Sequence, residues 1–157
     1  MLNKWSNFIN ETKGAENLAA RVVCVGPNDK ILVIKRAPGS PTDLNKWDIP
    51  GGHVDMSDNS FEAAAIRELF EETCLNYDEE DLTYLGRHDF QSDVVYYFGI
   101  FIPKGDVRLL PNPESGFIEH TEYEWTTIDQ IKEYEKQDLT IFPIYLLRMA
   151  LERVQKQ

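Results

Sequence analysis

The sequence predicts an α/β domain in which helices pack on a mixed β-sheet. Three observations lead to this expectation. The chain has 157 residues, enough for one domain with a substantial core but too few for two ordinary ones. Its 42% hydrophobic and 11% aromatic residues are typical of a globular protein. Segments with strand-like alternation surround one helical segment near residues 59–74, and the whole pattern has the order β-β-loop-α-β-β-β-α-α.

The first third of the chain is expected to form a hairpin followed by a loop. Residues 19–25 and 31–35 are apolar and β-branched, and Pro27-Asn28-Asp29 between them suits a turn. Residues 37–46 contain two prolines and several turn formers, which predicts a semi-rigid loop. Within residues 1–17, apolar side chains at helical spacing predict a short helix or arm that could pack on a second subunit of a homodimer: Leu2, Trp5, Phe8 and Ile9.

The acidic helix is expected to begin at Asn59 or Ser60 and to end near Cys74. Asn59 followed by Glu62 three residues later resembles a capping box, with Asn in place of the usual Ser or Thr.

The second half is expected to complete the sheet and to end in helices. Strands are predicted at 82–90, 93–102 and 119–126, with a further short strand at 107–109. Thr127 or Asp129 could cap a helix that runs to about residue 136, and residues 141–157 are strongly helical. No repeat or linker divides the sequence, so residues 1–157 are expected to form a single domain.

Charge and cysteine content narrow the class of protein. Sixteen basic and 27 acidic residues give a net charge of −11, which argues against a nucleic-acid or anionic-membrane partner. Cys24 and Cys74 have no metal-type spacing and fit a reducing compartment. The sequence shows no signal-peptide h-region and no apolar run long enough to cross a bilayer, so a cytoplasmic location without a membrane partner is expected.

Three carboxylates are expected to share one face of the helix. At about 100° per residue, Glu68, Glu71 and Glu72 fall on one arc, where they repel one another, and Arg67 offsets only part of that repulsion. Such a face is either solvated or neutralised by a divalent cation, and oxygen ligands from adjacent turns suit Mg²⁺ or Mn²⁺. The opposite arc, expected to face the core, carries Ala63, Ile66, Leu69, Phe70 and Thr73.

The surroundings of this helix resemble a known signature. Gly51-Gly52-His53-Val54-Asp55, followed by Arg67-Glu68-Leu69-Phe70-Glu71-Glu72-Thr73-Cys74-Leu75, resembles the Nudix box, which would occupy residues 52–75. The preceding Trp47-Asp48-Ile49-Pro50, the strand at 31–36 and Glu122-Tyr123-Glu124-Trp125 are also similar to the family pattern. The chain is therefore identified as a Nudix hydrolase, and the resemblance implies the α/β/α sandwich of that family with its mixed sheet.

Two departures from the pattern concern the ends of the helix. The spacing between Gly52 and Arg67 is one residue longer than usual, so the acid that precedes the helix corresponds to Asp58 or to the non-acidic Asn59. Cys74 replaces the glycine that usually ends the helix in a left-handed conformation. A non-glycine residue in that conformation costs roughly 1–2 kcal/mol, unless the helix ends differently, for example through Asn76.

The resemblance implies Mg²⁺-dependent hydrolysis of a nucleoside diphosphate linked to another group, with Mn²⁺ as a substitute. The metal would be held by Glu68, Glu71, Glu72 and the backbone at Gly52, which no Cβ obstructs. Glu71 would also be catalytic, and Arg67 would orient a neighbouring glutamate through its fork-shaped guanidinium. Metal-activated water would then cleave the phosphoanhydride.

The remaining site residues are expected outside the box. Glu119 is the preferred additional ligand or general base, and His120 is the alternative because its ordinary pKa near 6.5 suits proton transfer. Four further side chains are candidates for contact with the substrate: Arg21, Arg36, Trp47 and Tyr97.

Two other functions remain open at the level of the sequence. One is a GDP-sugar glycosyl hydrolase that attacks the sugar carbon with His120 as base, since a branch of the family has a histidine in a similar setting. The other is a non-catalytic nucleotide-sensing module, against which the intact Arg67-Glu68 and Glu71-Glu72 pairs argue. The sequence leaves the substrate undecided among nucleoside triphosphates, ADP-ribose, dinucleoside polyphosphates and nucleotide sugars.

Overall fold

The computed structural model describes residues 17–38, 45–90 and 92–156. The predicted arm at residues 2–10 and most of the predicted 37–46 loop therefore lie outside the described residues. The strands are β1 (Asn17–Val25), β2 (Ile31–Arg36), β3 (Trp47–Asp48), β4 (Gly51–His53), β5 (Thr83–Asp89), β6 (Asp93–Phe101) and β7 (His120–Thr126). The helices are α1 (Phe61–Thr73), α2 (Ile128–Lys136) and α3 (Ile144–Arg153). None of the helices in the described part of the chain is long and apolar enough to cross a membrane.

The strands form one mixed sheet, as predicted. Its order is β3-β2-β1-β6-β5, with β4 paired to β1 and β7 paired to β2. Strands β1 and β6 are parallel, whereas the other pairs are antiparallel. Near the turn β1 pairs with β2 at Val25 and Ile31. Further along, β1 pairs with β4 and β2 pairs with β3, so the two strands diverge around the 47–53 segment.

Alternation along the central strands gives the sheet two apolar faces. One buried cluster contains Val22 and Cys24 of β1 and packs against α1 through Leu69. The other contains Val23 and packs against α2 and α3 through residues such as Leu147. Since α1 covers one face and α2 and α3 cover the other, the α/β/α sandwich is confirmed.

The ends of α1 are fixed by local contacts that the sequence indicated only in part. Ser60 is the N-cap and its side-chain oxygen accepts a hydrogen bond of 2.9 Å from the Ala63 amide, so the predicted Asn59 capping box is wrong. Cys74 ends the helix in the left-handed conformation, with φ of 62°. Phe70 was expected in the core but is 50% exposed. The buried face of α1 consists of Phe61, Ala64, Ala65, Leu69 and Thr73.

The rest of the chain follows the predicted order with three differences. Thr127 caps α2, which ends at Lys136 as expected, but α3 is shorter than the predicted 141–157 helix. The predicted order has only a loop between the hairpin and α1, whereas the structure has the short strands β3 and β4 there. Residues 107–109 form no strand, because the Arg108 amide donates to the Thr73 carbonyl at the end of α1 instead of joining the sheet.

Candidate active site

A cleft of about 830 Å³ opens where β1 and β2 diverge. The acidic face of α1, the β4 segment and the loop before β7 all contribute to its walls. Most of the predicted site residues line it: Arg21, Arg36, Gly52, Arg67, Glu68, Glu71, Glu72, Glu119 and His120. The fold therefore brings together side chains that lie almost 100 residues apart in the sequence.

The carboxylates of Glu68 and Glu72 lie against β4, and that of Glu71 lies beside Arg67. The side chain of Glu68 is 15% exposed, and that of Glu71 is 30% exposed. A Glu72 oxygen accepts a hydrogen bond of 2.9 Å from the Gly51 amide. Burial raises the pKa of Glu68 to about 7 and raises that of Glu72 well above its ordinary value. Such carboxyl groups ionise readily only when a positive charge is near. They are therefore suited to act as ligands of a hard divalent cation.

The glycines of β4 make room for these acids. A Cβ atom on Gly52 would lie 2.6–2.7 Å from the carboxyl atoms of Glu68, closer than non-bonded atoms approach. Gly51 has a φ of 156°, and a Cβ there would lie 2.5 Å from the Ala20 carbonyl oxygen. Both positions therefore require glycine if β4 is to approach α1 and β1 this closely.

Arg67 connects the two ends of the acidic segment. Its Nε and Nη2 atoms donate hydrogen bonds of 2.9 Å to the two carboxylate oxygens of Asp58, and Nη2 also donates to the His53 carbonyl at 3.1 Å. Nη1 donates to Glu68 at 3.0 Å and lies 3.3 Å from a Glu71 oxygen. Although burial raises the pKa of Asp58, the hydrogen bonds from Arg67 and from the Asp55 amide, together with the charge of Arg67, lower that pKa overall. Of the two candidates for the outer acid, Asp58 is thus the one that Arg67 binds.

Glu119, the last residue before β7, and His120, the first residue of β7, lie together at one end of the cleft. Single ligand atoms of Glu72, Glu119 and His120 all lie within 4.8 Å of one another. The Asn112 side-chain amide donates a hydrogen bond of 3.1 Å to Glu119 and so fixes one of its oxygens. His120 is only 7% exposed, and burial lowers its pKa to about 4, which keeps its imidazole neutral.

A buried aspartate that the sequence pattern did not single out orders the two arginines of the cleft. Asp48 is 2% exposed, and Arg21 Nη1 lies 2.9 Å from both of its carboxylate oxygens. Arg36 Nη1 lies 3.5 Å from the same carboxylate. Interaction with Asp48 is the main cause of the raised pKa of Arg21. The sequence did offer one indication of a role for Asp48, which is an acid placed between the apolar residues Trp47 and Ile49. Its partners could not be identified from the sequence, because strand pairing brings them to it.

Two expected substrate contacts lie elsewhere. Trp47 is 7% exposed and stacks on Tyr134 of α2, with 5.5 Å between ring centroids. Tyr97 is 3% exposed and belongs to the same core cluster. Both side chains point to the sheet face that α2 and α3 cover, and neither lines the cleft, so the structure does not bring them to the site.

Comparison with known proteins agrees with this geometry. The family model described as NUDIX domain matches residues 16–146, which is most of the chain, and the chain therefore belongs to the NUDIX domain family. This family acts on nucleoside diphosphate derivatives, as the sequence resemblance implied.

Curated relatives match only a fraction of their own length. The chain is 40% identical over 57 residues to a putative 8-oxo-dGTP diphosphatase of Bacillus subtilis, a match covering 36% of the chain and 34% of that protein. It is 33% identical over 66 residues to the m7GpppN-mRNA hydrolase NUDT17 of Danio rerio, which covers 42% of the chain and 22% of that protein. These matches therefore span about a third and a fifth of the relatives.

Solved structures with low sequence identity share the fold. The NUDIX domain of Shewanella oneidensis NrtR, crystallised with ADP ribose, is 18% identical with a TM-score of 0.66, and the match covers 98% of this chain and 100% of that one. A NUDIX hydrolase from Nitrosomonas europaea is 19% identical with a TM-score of 0.66, covering 88% and 90% of the two chains.

Proposed function

We propose that the protein hydrolyses a phosphoanhydride bond in a nucleoside diphosphate linked to another group, with Mg²⁺ as its cofactor and Mn²⁺ as a substitute. The observation that carries this proposal is the convergence of the α1 carboxylates with Glu119 and His120 in one cleft. The matched residues 16–146 support it, because they contain every one of these side chains.

Glu68, Glu71, Glu72 and the Gly52 carbonyl are the groups that would hold the cation. A bound divalent cation would neutralise pyrophosphate oxygens and acidify the attacking water. The raised pKa values of Glu68 and Glu72 support this assignment, because burial makes both carboxylates unfavourable unless positive charge is supplied.

Arg67 acts as a positioning residue in this proposal. Asp58 clamps its guanidinium at two points, which leaves Nη1 to hold Glu68 and Glu71 in fixed positions. A bidentate pair restricts the orientation of both partners more strongly than a lysine could. Glu71→Gln should therefore lose activity because it removes a carboxylate ligand of the cation. Arg67→Lys should lose activity because the carboxylate ligands are no longer held in fixed positions.

Glu119 is the preferred general base or additional ligand. One of its oxygens is held by Asn112, and the residue lies at the edge of the carboxylate group. His120 is a weaker candidate, because a pKa near 4 gives little driving force for taking a proton at neutral pH. Arg21 and Arg36 line the cleft beside this group and are proposed to contact phosphate or ribose oxygens.

His120 lies beside Glu72 and Glu119, so a glycosyl hydrolase with His120 as its base is the second candidate function. The two reactions differ in the bond that water attacks. Hydrolysis of a GDP-sugar in ¹⁸O-labelled water would place the label on the sugar if carbon is attacked, and in the phosphate if phosphorus is attacked. Label on the sugar would replace the present proposal.

An activity screen tests the proposal itself. The purified chain would be assayed with Mg²⁺ and with Mn²⁺ against nucleoside triphosphates, ADP-ribose, dinucleoside polyphosphates and nucleotide sugars. We expect cation-dependent turnover in at least one class, and Glu71→Gln should abolish most of it. Tight nucleotide binding with no turnover in any class would favour the sensing module instead.

A further inference from the structure

The cleft is lined in part by apolar side chains that the proposed hydrolysis does not use. Met56, Phe117 and Ile118 line it and are 59%, 74% and 53% exposed. Single exposed apolar side chains are ordinary on a protein surface, but three that share a cleft with a polar site indicate a ligand surface. Phe117 has the largest exposure among the large hydrophobic residues of the described ranges.

The loop that carries Phe117 is closed by its own hydrogen bonds. The Asn112 amide donates to the Phe117 carbonyl at 2.8 Å, and the Gly116 amide donates to the Asn112 carbonyl at 2.8 Å. The Asn112 side-chain oxygen accepts from the amides of Glu114 and Ser115 at 2.8 and 3.2 Å. Several backbone amides and carbonyls of the loop are thus paired within it, and Phe117 and Ile118 are the apolar residues that it adds to the lining of the cleft, beside the polar Asn112, Glu114 and Ser115.

The same loop also keeps Phe117 close to Glu119. Phe117 lies two residues before Glu119, so their Cα atoms are at most about 7 Å apart. The Asn112 side-chain amide binds Glu119 at 3.1 Å while its carbonyl side closes the loop. A ligand that matches the cleft would carry an anionic group for a cation at the acids and, close to it, an apolar group for Phe117.

We propose that Phe117, supported by Met56 and Ile118, stacks on the nucleobase of the substrate. This inference rests on the proposed function for the nature of the ligand and adds the place where the base binds. Aromatic side chains stack on any base, because every base has a π-face, and the energy comes from contact rather than from hydrogen bonds. Phe117 is therefore expected to contribute affinity for nucleotides in general and little discrimination among bases.

Equilibrium binding tests the proposal without any turnover. Isothermal titration calorimetry with Mg²⁺ would compare two probes: non-hydrolysable α,β-methylene triphosphates of the four ribonucleosides, and inorganic tripolyphosphate, which has no base. Phe117→Ala should weaken the tightest nucleoside probe by at least about fivefold and leave tripolyphosphate affinity unchanged. Phe117→Trp should retain or exceed the original nucleoside affinity.

Phe90→Ala is the matched control. Phe90 is an aromatic residue with 46% exposure that does not line the cleft, so its loss should change neither affinity. Since Phe117 is largely exposed, its replacement should leave the thermal unfolding midpoint close to that of the original protein.

The outcomes separate this inference from the proposed function. Equal weakening of both probes in Phe117→Ala, or unchanged nucleoside affinity, overturns the stacking role even if hydrolysis is observed. Failure of the original protein to bind any nucleoside probe overturns it as well. A nucleoside-specific loss of affinity in a protein that hydrolyses nothing in the screen supports the base site and refutes the hydrolase proposal.

Discussion

Replacement of Gly52 by alanine tests how closely the site depends on the approach of β4 to α1. The added Cβ would lie 2.6 Å from Glu68 Cδ and 2.7 Å from both carboxylate oxygens. Because ordinary contact for a Cβ atom begins at 3.4 Å, the carboxyl group would have to withdraw by about 0.8 Å, which is 3.4 minus 2.6. Glu68 is a flexible side chain, so this movement is possible without unfolding the sheet.

The expected loss follows from the size of that movement. A displacement of about 1 Å in a catalytic group can cost about 100-fold in rate, so Gly52→Ala should reduce kcat by about 10- to 100-fold. The cation should also bind more weakly, because one of its proposed ligands has moved. The measurements are kcat on the best substrate of the screen and the rise in Tm with Mn²⁺ concentration.

Gly105→Ala provides a matched steric control. Its Cβ would lie 2.6 Å from Leu75 Cδ2, an equally short approach to a flexible side chain, but outside the cleft. This variant should lower Tm without changing kcat or the Mn²⁺ response. Wild-type kcat and Mn²⁺ response in Gly52→Ala would refute the reasoning, and so would any further loss of Mn²⁺ response when Gly52→Ala is added to Glu68→Ala.

Three further substitutions test the charges and ends of α1. Glu72→Gln should reduce turnover by orders of magnitude. It should not lower the free energy of unfolding measured in urea, because it removes one of several repelling carboxylates. Glu62→Gln, which lies outside the cleft, should change neither turnover nor the free energy of unfolding. Cys74→Gly should raise Tm by about 2–4 °C, since about 1 kcal/mol of left-handed strain disappears, and an equal rise in Cys74→Ala would contradict this cause. Asp58→Asn should cost roughly 1–3 kcal/mol at pH 7, because the lowered pKa of Asp58 means that its charged form stabilises the fold. The difference in free energy of unfolding between Asp58→Asn and the original protein, measured in urea, should shrink as the pH falls from about 3.9 through that lowered pKa. A difference at pH 2.5 as large as that at pH 7 would contradict this explanation.

Much of the fold could be predicted because the apolar residues of its main elements follow the period of a strand or a helix. Residues 93–102 illustrate this, since Tyr96, Phe98 and Ile100 face α1 while Val95 and Tyr97 face α3. Where a segment is short, the periodic signal disappears. Strands β3 and β4 have two and three residues, and only pairing with β2 and β1 makes them strands.

The errors have the same physical origin in tertiary contacts. Helical periodicity placed Phe70 on the core face, but the buried stripe of α1 is centred on Leu69 and Thr73, which leaves Phe70 at the edge. Residues 107–109 have the composition of a strand, and Val107 is buried as a strand residue would be. Their backbone instead follows the end of α1, where the Thr73 carbonyl accepts the Arg108 amide.

The candidate site divides in the same way. The acids of α1 could be found from local spacing, because one helix carries them all. The contacts that order the other site residues could not, since Asp48 meets Arg21 through strand pairing and Asn112 meets Glu119 through loop closure. Trp47 and Tyr97 were expected at the site but lie outside it. Their aromatic side chains would suit base stacking, but strand alternation directs both of them into the core.

The arrangement explains how the chain tolerates an acidic cluster on a short helix. Glu68 and Glu72 would repel one another in an isolated helix, but Arg67 holds Glu68 and the Gly51 amide holds Glu72. These contacts fix the positions of the carboxylates without removing their preference for added positive charge, as the raised pKa values show. A divalent cation would therefore bind to a site that is already ordered, and the free energy of relieving the repulsion would contribute to its affinity.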